Sequence, residues 1–110
     1  MRYIPSQGDI ITMDFDPQMG HEQGGRRPAL VVSNAKYNRF CKMAVVCPIT
    51  NVDKEHAFHV KLGDGYHTKG VVLCDQFRAM DIIARNATLR ESVSSDILDE
   101  VIDIICSFME

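Results

Sequence analysis

Tryptophan is missing from this 110-residue chain, and its three tyrosines and five phenylalanines are scattered along it. They form no cluster of the kind that lets a dedicated base-stacking platform, such as an RRM, grip RNA. Phe58 and Tyr66 read as core or rim packing instead. No apolar run approaches the ~20 residues of a membrane-spanning helix, so no membrane role is expected. Met1-Arg2-Tyr3-Ile4-Pro5 has no apolar stretch behind its charge, which predicts no signal peptide and makes the cytoplasm the expected compartment. The four cysteines, Cys41, Cys47, Cys74 and Cys106, form no CxxC or CxxxH pattern, which argues against a zinc site. Cys47, Cys74 and Cys106 each lie within apolar runs, so reduced, buried thiols are expected rather than disulfides. None of the four histidines has metal-ligand spacing, and neither a Gly-rich nucleotide loop nor a GxSxG nucleophile is present. No metal and no cofactor are expected.

Hydrophobic residues make up 45% and charged residues 25% of the chain. That is ordinary globular composition, and the length suits one domain over residues 1–110. The net charge of −3 argues at first against a polyanionic partner. Its distribution reverses the inference. Residues 91–110 carry Glu91, Asp96, Asp99, Glu100, Asp103 and Glu110 with no Lys or Arg, which leaves +3 on residues 1–90. Such asymmetry permits an anionic ligand on the body, although a solvated acidic helix face accounts for the tail equally well.

Residues 10–15 read as a strand with Ile11, Met13 and Phe15 on one face, by the two-residue period of extended chain. Residues 29–33 form a short strand apolar on both faces, and Asn34 caps a brief helix over residues 35–40. A third strand over residues 43–47 is expected to end at Pro48, a fourth alternates over residues 57–62, and a fifth runs from Gly70 through Asp75-Gln76 to Met80, with residues 81–84 extending or following it. Ser94 or Ser95 caps a terminal helix whose apolar positions, from Ile97 to Met109, form a wide stripe. The sum is a mostly antiparallel β domain of about six strands with one C-terminal helix.

The richest stretch for chemistry is Gly20-His21-Glu22-Gln23-Gly24-Gly25-Arg26-Arg27-Pro28. It brings an imidazole, a carboxylate, an amide and two guanidiniums to a strand entrance, and loops on a rigid scaffold are where binding and catalysis concentrate. A guanidinium matches phosphate oxygens bidentately and keeps its charge. Arg27, anchored by Pro28 and the following strand, is the stronger candidate of the two. His21 and Glu22 are imidazole–carboxylate neighbours suited to acid–base work, whereas His56, His59 and His67 read as structural or solvent-facing. Asp75 and Gln76 interrupt an apolar strand. A carboxylate there must face solvent or find partners, and it is a candidate general base. Thr50 and Asn51 close a strand, where turn duty is the ordinary explanation.

Gly8-Asp9-Ile10, Asp14-Phe15-Asp16-Pro17, Gly20 to Gln23, Arg27-Pro28-Ala29, Pro48-Ile49-Thr50 and Gly70-Val71-Val72 to Asp75-Gln76 occur in one order. In that order they resemble the MazF/PemK (Kid) toxin family over essentially the whole chain. The resemblance implies an SH3-like small β-barrel with a C-terminal helix, similar to that of the CcdB toxin, assembled as a homodimer. It implies a sequence-specific endoribonuclease that cuts single-stranded RNA, chiefly mRNA, without metal, leaving 2′,3′-cyclic phosphate and 5′-hydroxyl ends. A cognate antitoxin with an acidic C-terminal segment would cover the RNA groove. On the same basis the catalytic positions are Arg27, Thr50, Asp75 and His21, with Glu22, Gln23, Asn51 and Gln76 as substrate-binding positions. One position departs: the PemK-like branch carries an arginine two residues before the aspartate, and this chain has Leu73. That shifts the implied mechanism toward Arg27 and Thr50.

Two other readings compete. A non-enzymatic, gyrase-poisoning toxin of the same fold would act through the end of the last helix, but Phe108-Met109-Glu110 lacks the Trp-Gly-Ile ending of such a toxin. An SH3-like interaction module without catalysis leaves Arg27 and Asp75 without a reason.

Overall fold

Apolar residues on successive positions of the central strands bury both faces of one antiparallel sheet, and two cores result. A computed structural model describes residues 3–16, 20–21, 24–53 and 57–110. Its sheet comprises β1 (Asp9–Asp14), β2 (Arg26–Val31), β3 (Ala44–Thr50), β4 (His59–Lys61), β5 (Val71–Leu73), β6 (Arg78–Met80) and β7 (Thr88–Ser92). The helices are α1 (Ala35–Cys41) and α2 (Ser95–Ser107). Strand order is β4-β5-β3-β2-β1-β7, with β6 also paired to β3. The hydrogen-bonded path among the described residues ends at β4 and at β7. The expected barrel is therefore a curled sheet that does not close, and it has seven strands rather than about six.

The two-residue period sorts the cores. Ile11, Met13, Phe15, Ala29, Val31 and Val46 fill one together with Met80 and Ile82. Ile10, Leu30, Cys47, Ile49 and Val72 fill the other, closed by Val101 of α2. Double-sided burial explains why residues 29–33 read as apolar on both faces. Ser94 caps α2 by accepting a hydrogen bond from the Ile97 amide, and Asn34 caps α1 through Tyr37 N. No helix of the described residues is long and apolar enough to cross a membrane.

Two expectations are corrected. β3 runs through Pro48 to Thr50. It pairs β6 through Val46 and β5 from Ile49, so Pro48 falls at the handover, where a missing N–H interrupts no ladder. Cys106 is exposed in this chain, unlike Cys47 and Cys74. Burial pushes the Cys47 thiol up and the Cys74 thiol up to about 12, so both are held as inert thiols.

Candidate functional site

Pairing of β1 with β2 sets Arg26 opposite Asp14 and Arg27 opposite Met13. Adjacent strand residues point to opposite faces, so the two guanidiniums take different partners. Arg26 makes an ion pair of 3.0 Å with Asp14 and extends Nη2 to the Thr12 carbonyl and the Thr88 hydroxyl at 3.4 Å. Hydrogen bonds from Asn86 and then Arg26 hold the Asp14 carboxyl below the usual carboxylate range. Arg27 is half-buried, and its Nε donates to the Gly24 carbonyl at 2.9 Å. That bond fixes the guanidinium plane while the terminal nitrogens keep the fork geometry that phosphate matches.

Thr50 ends β3 and is buried. Its hydroxyl accepts from the Val52 amide at 3.2 Å, which orients the oxygen and leaves the hydroxyl proton to be donated. The chain comes back against it at Gly70, where φ is +117° and a Cβ would stand 2.1 Å from the Thr50 carbonyl oxygen. Only glycine allows that approach. β5 then starts with Val71 paired to Thr50.

These elements enclose a groove of about 440 Å³. Arg26, Arg27, His67, Lys69 and Arg90 line it, with Thr50, Asn51 and Thr68 between them and no acidic residue among the described lining. Arg90 owes its place to a β-bulge: Ile10 pairs Glu91 and Ile11 pairs Leu89, so Arg90 is the extra residue. Bulges re-aim side chains in this way. Several cations around buried hydroxyls make a receptor for a phosphodiester. A second cavity, of about 220 Å³, lies between Tyr3, Ile4, Met43 and Ile82. Its lining is mainly apolar, and Arg39 and Lys42 also border it.

The structure thus brings together Arg27, Thr50 and Asn51 of the expected site. His21 lies in an exposed turn and is not in the groove lining. Glu22 and Gln23 lie outside the described residues. Asp75 and Gln76 occupy a single 3-10 turn, Cys74–Gln76, beyond the far end of β5 from Thr50. That turn packs against α2, and Asp75 is exposed. Leu73, at the departing position, is buried. Sequence reasoning missed His67, Lys69 and Arg90. For His67 and Lys69 the only local signal was the basic, Gly-bounded segment His67-Thr68-Lys69-Gly70, and Arg90 had none. Among the described residues no group of three His, Cys, Asp or Glu could hold a metal ion.

The profile of the PemK-like, MazF-like toxins of type II toxin–antitoxin systems matches residues 6–109. The chain is 41% identical over 95 residues to the endoribonuclease toxin MazF of Escherichia coli K12, covering 86% of this chain and 85% of that one. It superimposes on the crystal structure of MazF from Deinococcus radiodurans with a TM-score of 0.94 at 40% identity, over 98% of each chain. Against a MazE–MazF complex from the same organism the TM-score is 0.88 at 40% identity, over 98% of this chain and 97% of that one. The fold, an open sheet with a terminal helix, is thus shared with solved MazF structures, and this chain belongs to the PemK-like, MazF-like toxin family of type II toxin–antitoxin systems.

Proposed function

We propose that this chain is the endoribonuclease toxin of a type II pair and that it cuts single-stranded RNA, chiefly mRNA, in the groove bordered by Arg27 and Thr50. The 2′-hydroxyl oxygen attacks the adjacent phosphorus and the P–O5′ bond breaks, leaving a 2′,3′-cyclic phosphate and a 5′-hydroxyl. No metal is required in this route. The observation that carries the reading is the convergence of a fixed arginine and a buried threonine hydroxyl in a groove whose described lining is free of acid.

The step needs an acceptor for the 2′ proton, a cation for the charge that grows on phosphorus, and a donor to the leaving oxygen. Arg27 supplies the second and can donate in the third. Thr50 and Asn51 hydrogen-bond the phosphate. For the first task position favours His67, which lines the groove, over Asp75, in the turn beside α2, and His21, in an exposed turn. Comparing His67→Gln, Asp75→Asn and His21→Gln decides the matter. The expected loss is at least ~10²-fold in kcat for His67→Gln alone, and the same loss at Asp75 instead would move the base there.

The relatives' MazE–MazF complex supports a cognate antitoxin as partner. We assign that antitoxin an acidic C-terminal segment, which the basic groove complements, and we assign the toxin to the cytoplasm as a homodimer. The gyrase-poisoning reading loses support because the Phe108 ring is engaged, edge-on to Phe58 at 4.7 Å and stacked on Phe77 at 6.4 Å.

The reading is tested by Arg27→Ala and Thr50→Val. Each is expected to reduce RNA cleavage by at least ~10²-fold, the cost of a lost oxyanion donor. Cleavage by Arg27→Ala at near wild-type rate overturns it.

A further inference from the structure

Lys69 and His67 reach the groove from a segment that contributes no strand or helix of its own. Something must hold it. Thr68 is buried, and a buried hydroxyl and amide need partners. All of them are supplied by one side chain 23 residues further along. Glu91 Oε2 accepts from the Thr68 amide at 2.7 Å and from the Thr68 hydroxyl at 2.8 Å, and Oε1 accepts from the His67 amide at 3.2 Å. A second attachment lies beside it, where the Tyr66 hydroxyl accepts from the Ser94 amide at 2.8 Å.

Glu91 follows the bulged Arg90 on β7. In a regular strand Arg90 and Glu91 would point to opposite faces. Here one bulge serves both walls: Arg90 lines the groove, and Glu91 engages the segment that forms the groove's other basic side. Burial pushes the Glu91 carboxyl up, but the bonds from the Thr68 hydroxyl and the two amides, with His67 nearby, outweigh this and hold it below its usual range. It is therefore ionised at neutral pH, and charge-assisted bonds are the strong ones.

We infer that Glu91 is a positioning residue for RNA cleavage, an anionic clamp that fixes residues 66–69 so that His67 and Lys69 face the phosphate bound at Arg27 and Thr50. The inference rests on the groove being the RNA site. It explains why an acidic residue stands beside a polyanion site without facing the polyanion: its charge is spent on the amides and hydroxyl of the wall. Glu91 itself touches no substrate.

The test uses Glu91→Ala and Glu91→Gln in the full chain, with amide hydrogen exchange and RNA-cleavage kinetics on the same folded samples. Exchange at His67 and Thr68 is expected to accelerate in Glu91→Ala. Its kcat/KM is expected to fall about tenfold, as the loss of charge-assisted hydrogen bonds would produce. Glu91→Gln keeps one acceptor oxygen but loses the charge and sets an amide NH2 against a backbone N–H, so its kcat/KM is expected to fall between wild type and Glu91→Ala. With His67→Gln already present, Glu91→Ala should cost less than about threefold, because partners in one device are not additive. A tenfold loss in both backgrounds marks Glu91 as a general stabiliser and overturns the inference. So does cleavage by Glu91→Ala within about twofold of wild type when Arg27→Ala is inactive. If Arg27→Ala cleaves normally, the groove reading itself has failed, whichever way Glu91 behaves.

Discussion

Arg27 and Arg26 are neighbours of the same type that both line the groove, and they differ in the partners each guanidinium engages. Arg26 spends its guanidinium on Asp14, Thr12 and Thr88, binding β2, β1 and β7 into one corner. Arg27 is tethered through Nε to the Gly24 carbonyl, which orients the rest of the group toward the groove. Charge alone is therefore not what the site needs. Arg27→Lys keeps a cation but loses both the fork and the Nε tether, so it is expected to remain at least ~10-fold impaired in RNA cleavage. Full activity in that variant would show that a point charge suffices.

At the scale of elements, the corner made by β1, β2 and β7 carries a pH dependence. The Asp14 and Glu91 carboxyls are both held below their usual values, Asp14 by bonds from Asn86 and Arg26, and Glu91 by Thr68 and His67 against the opposing effect of burial. A carboxyl depressed in the folded chain adds stability that is present above its unfolded pKa, about 4, and is lost as pH falls through the folded value. The melting temperature is expected to drop as pH is lowered below about 4, and to drop less steeply in an Asp14→Asn, Glu91→Gln double variant. Identical slopes would contradict the assignment. The β3–β5 junction makes a separate demand. Gly70→Ala places a Cβ against the Thr50 carbonyl in a conformation that L residues avoid. We expect a loss of more than about 2 kcal/mol, read as a clear fall in melting temperature, with cleavage impaired through Thr50.

The elements also show what sequence reading reaches. β1, α1 and α2 were legible because period and caps are local: Ile11, Met13 and Phe15 alternate, and Asn34 and Ser94 sit at helix starts. β7 carries no sequence signal of a strand. Thr88, Leu89, Arg90 and Ser92 are exposed, so the stretch has no apolar rhythm, and it is extended only because β1 pairs with it. The groove divides in the same way. Arg27, Thr50 and Asn51 stood out by setting or by resemblance, whereas His67, Lys69 and Arg90 arrive through pairings with residues far away in the chain. Asp75 stood out because it follows an apolar strand, and the structure resolves that oddity as an exposed turn.

At the scale of the whole molecule, the charge asymmetry becomes spatial. The acidic residues of the last twenty positions lie mostly on α2, whereas the groove is lined by Arg26, Arg27, Lys69 and Arg90 of the body. α2 buries Val101 fully but leaves Ile102, Ile104 and Ile105 half-buried and Met109 66% exposed. A twofold interface would cover that surplus. Sedimentation at micromolar concentration is expected to give about twice the 12.4 kDa of one chain, and a monomer would count against the homodimer.

The central claim concerns bond breaking in the groove, and product ends report on it most directly. The purified protein is incubated with a long single-stranded RNA in EDTA, and the termini of the fragments are mapped. The account predicts discrete cuts bearing 2′,3′-cyclic phosphate and 5′-hydroxyl ends, abolished by Arg27→Ala. Intact RNA, or fragments with 5′-phosphate ends, would contradict it.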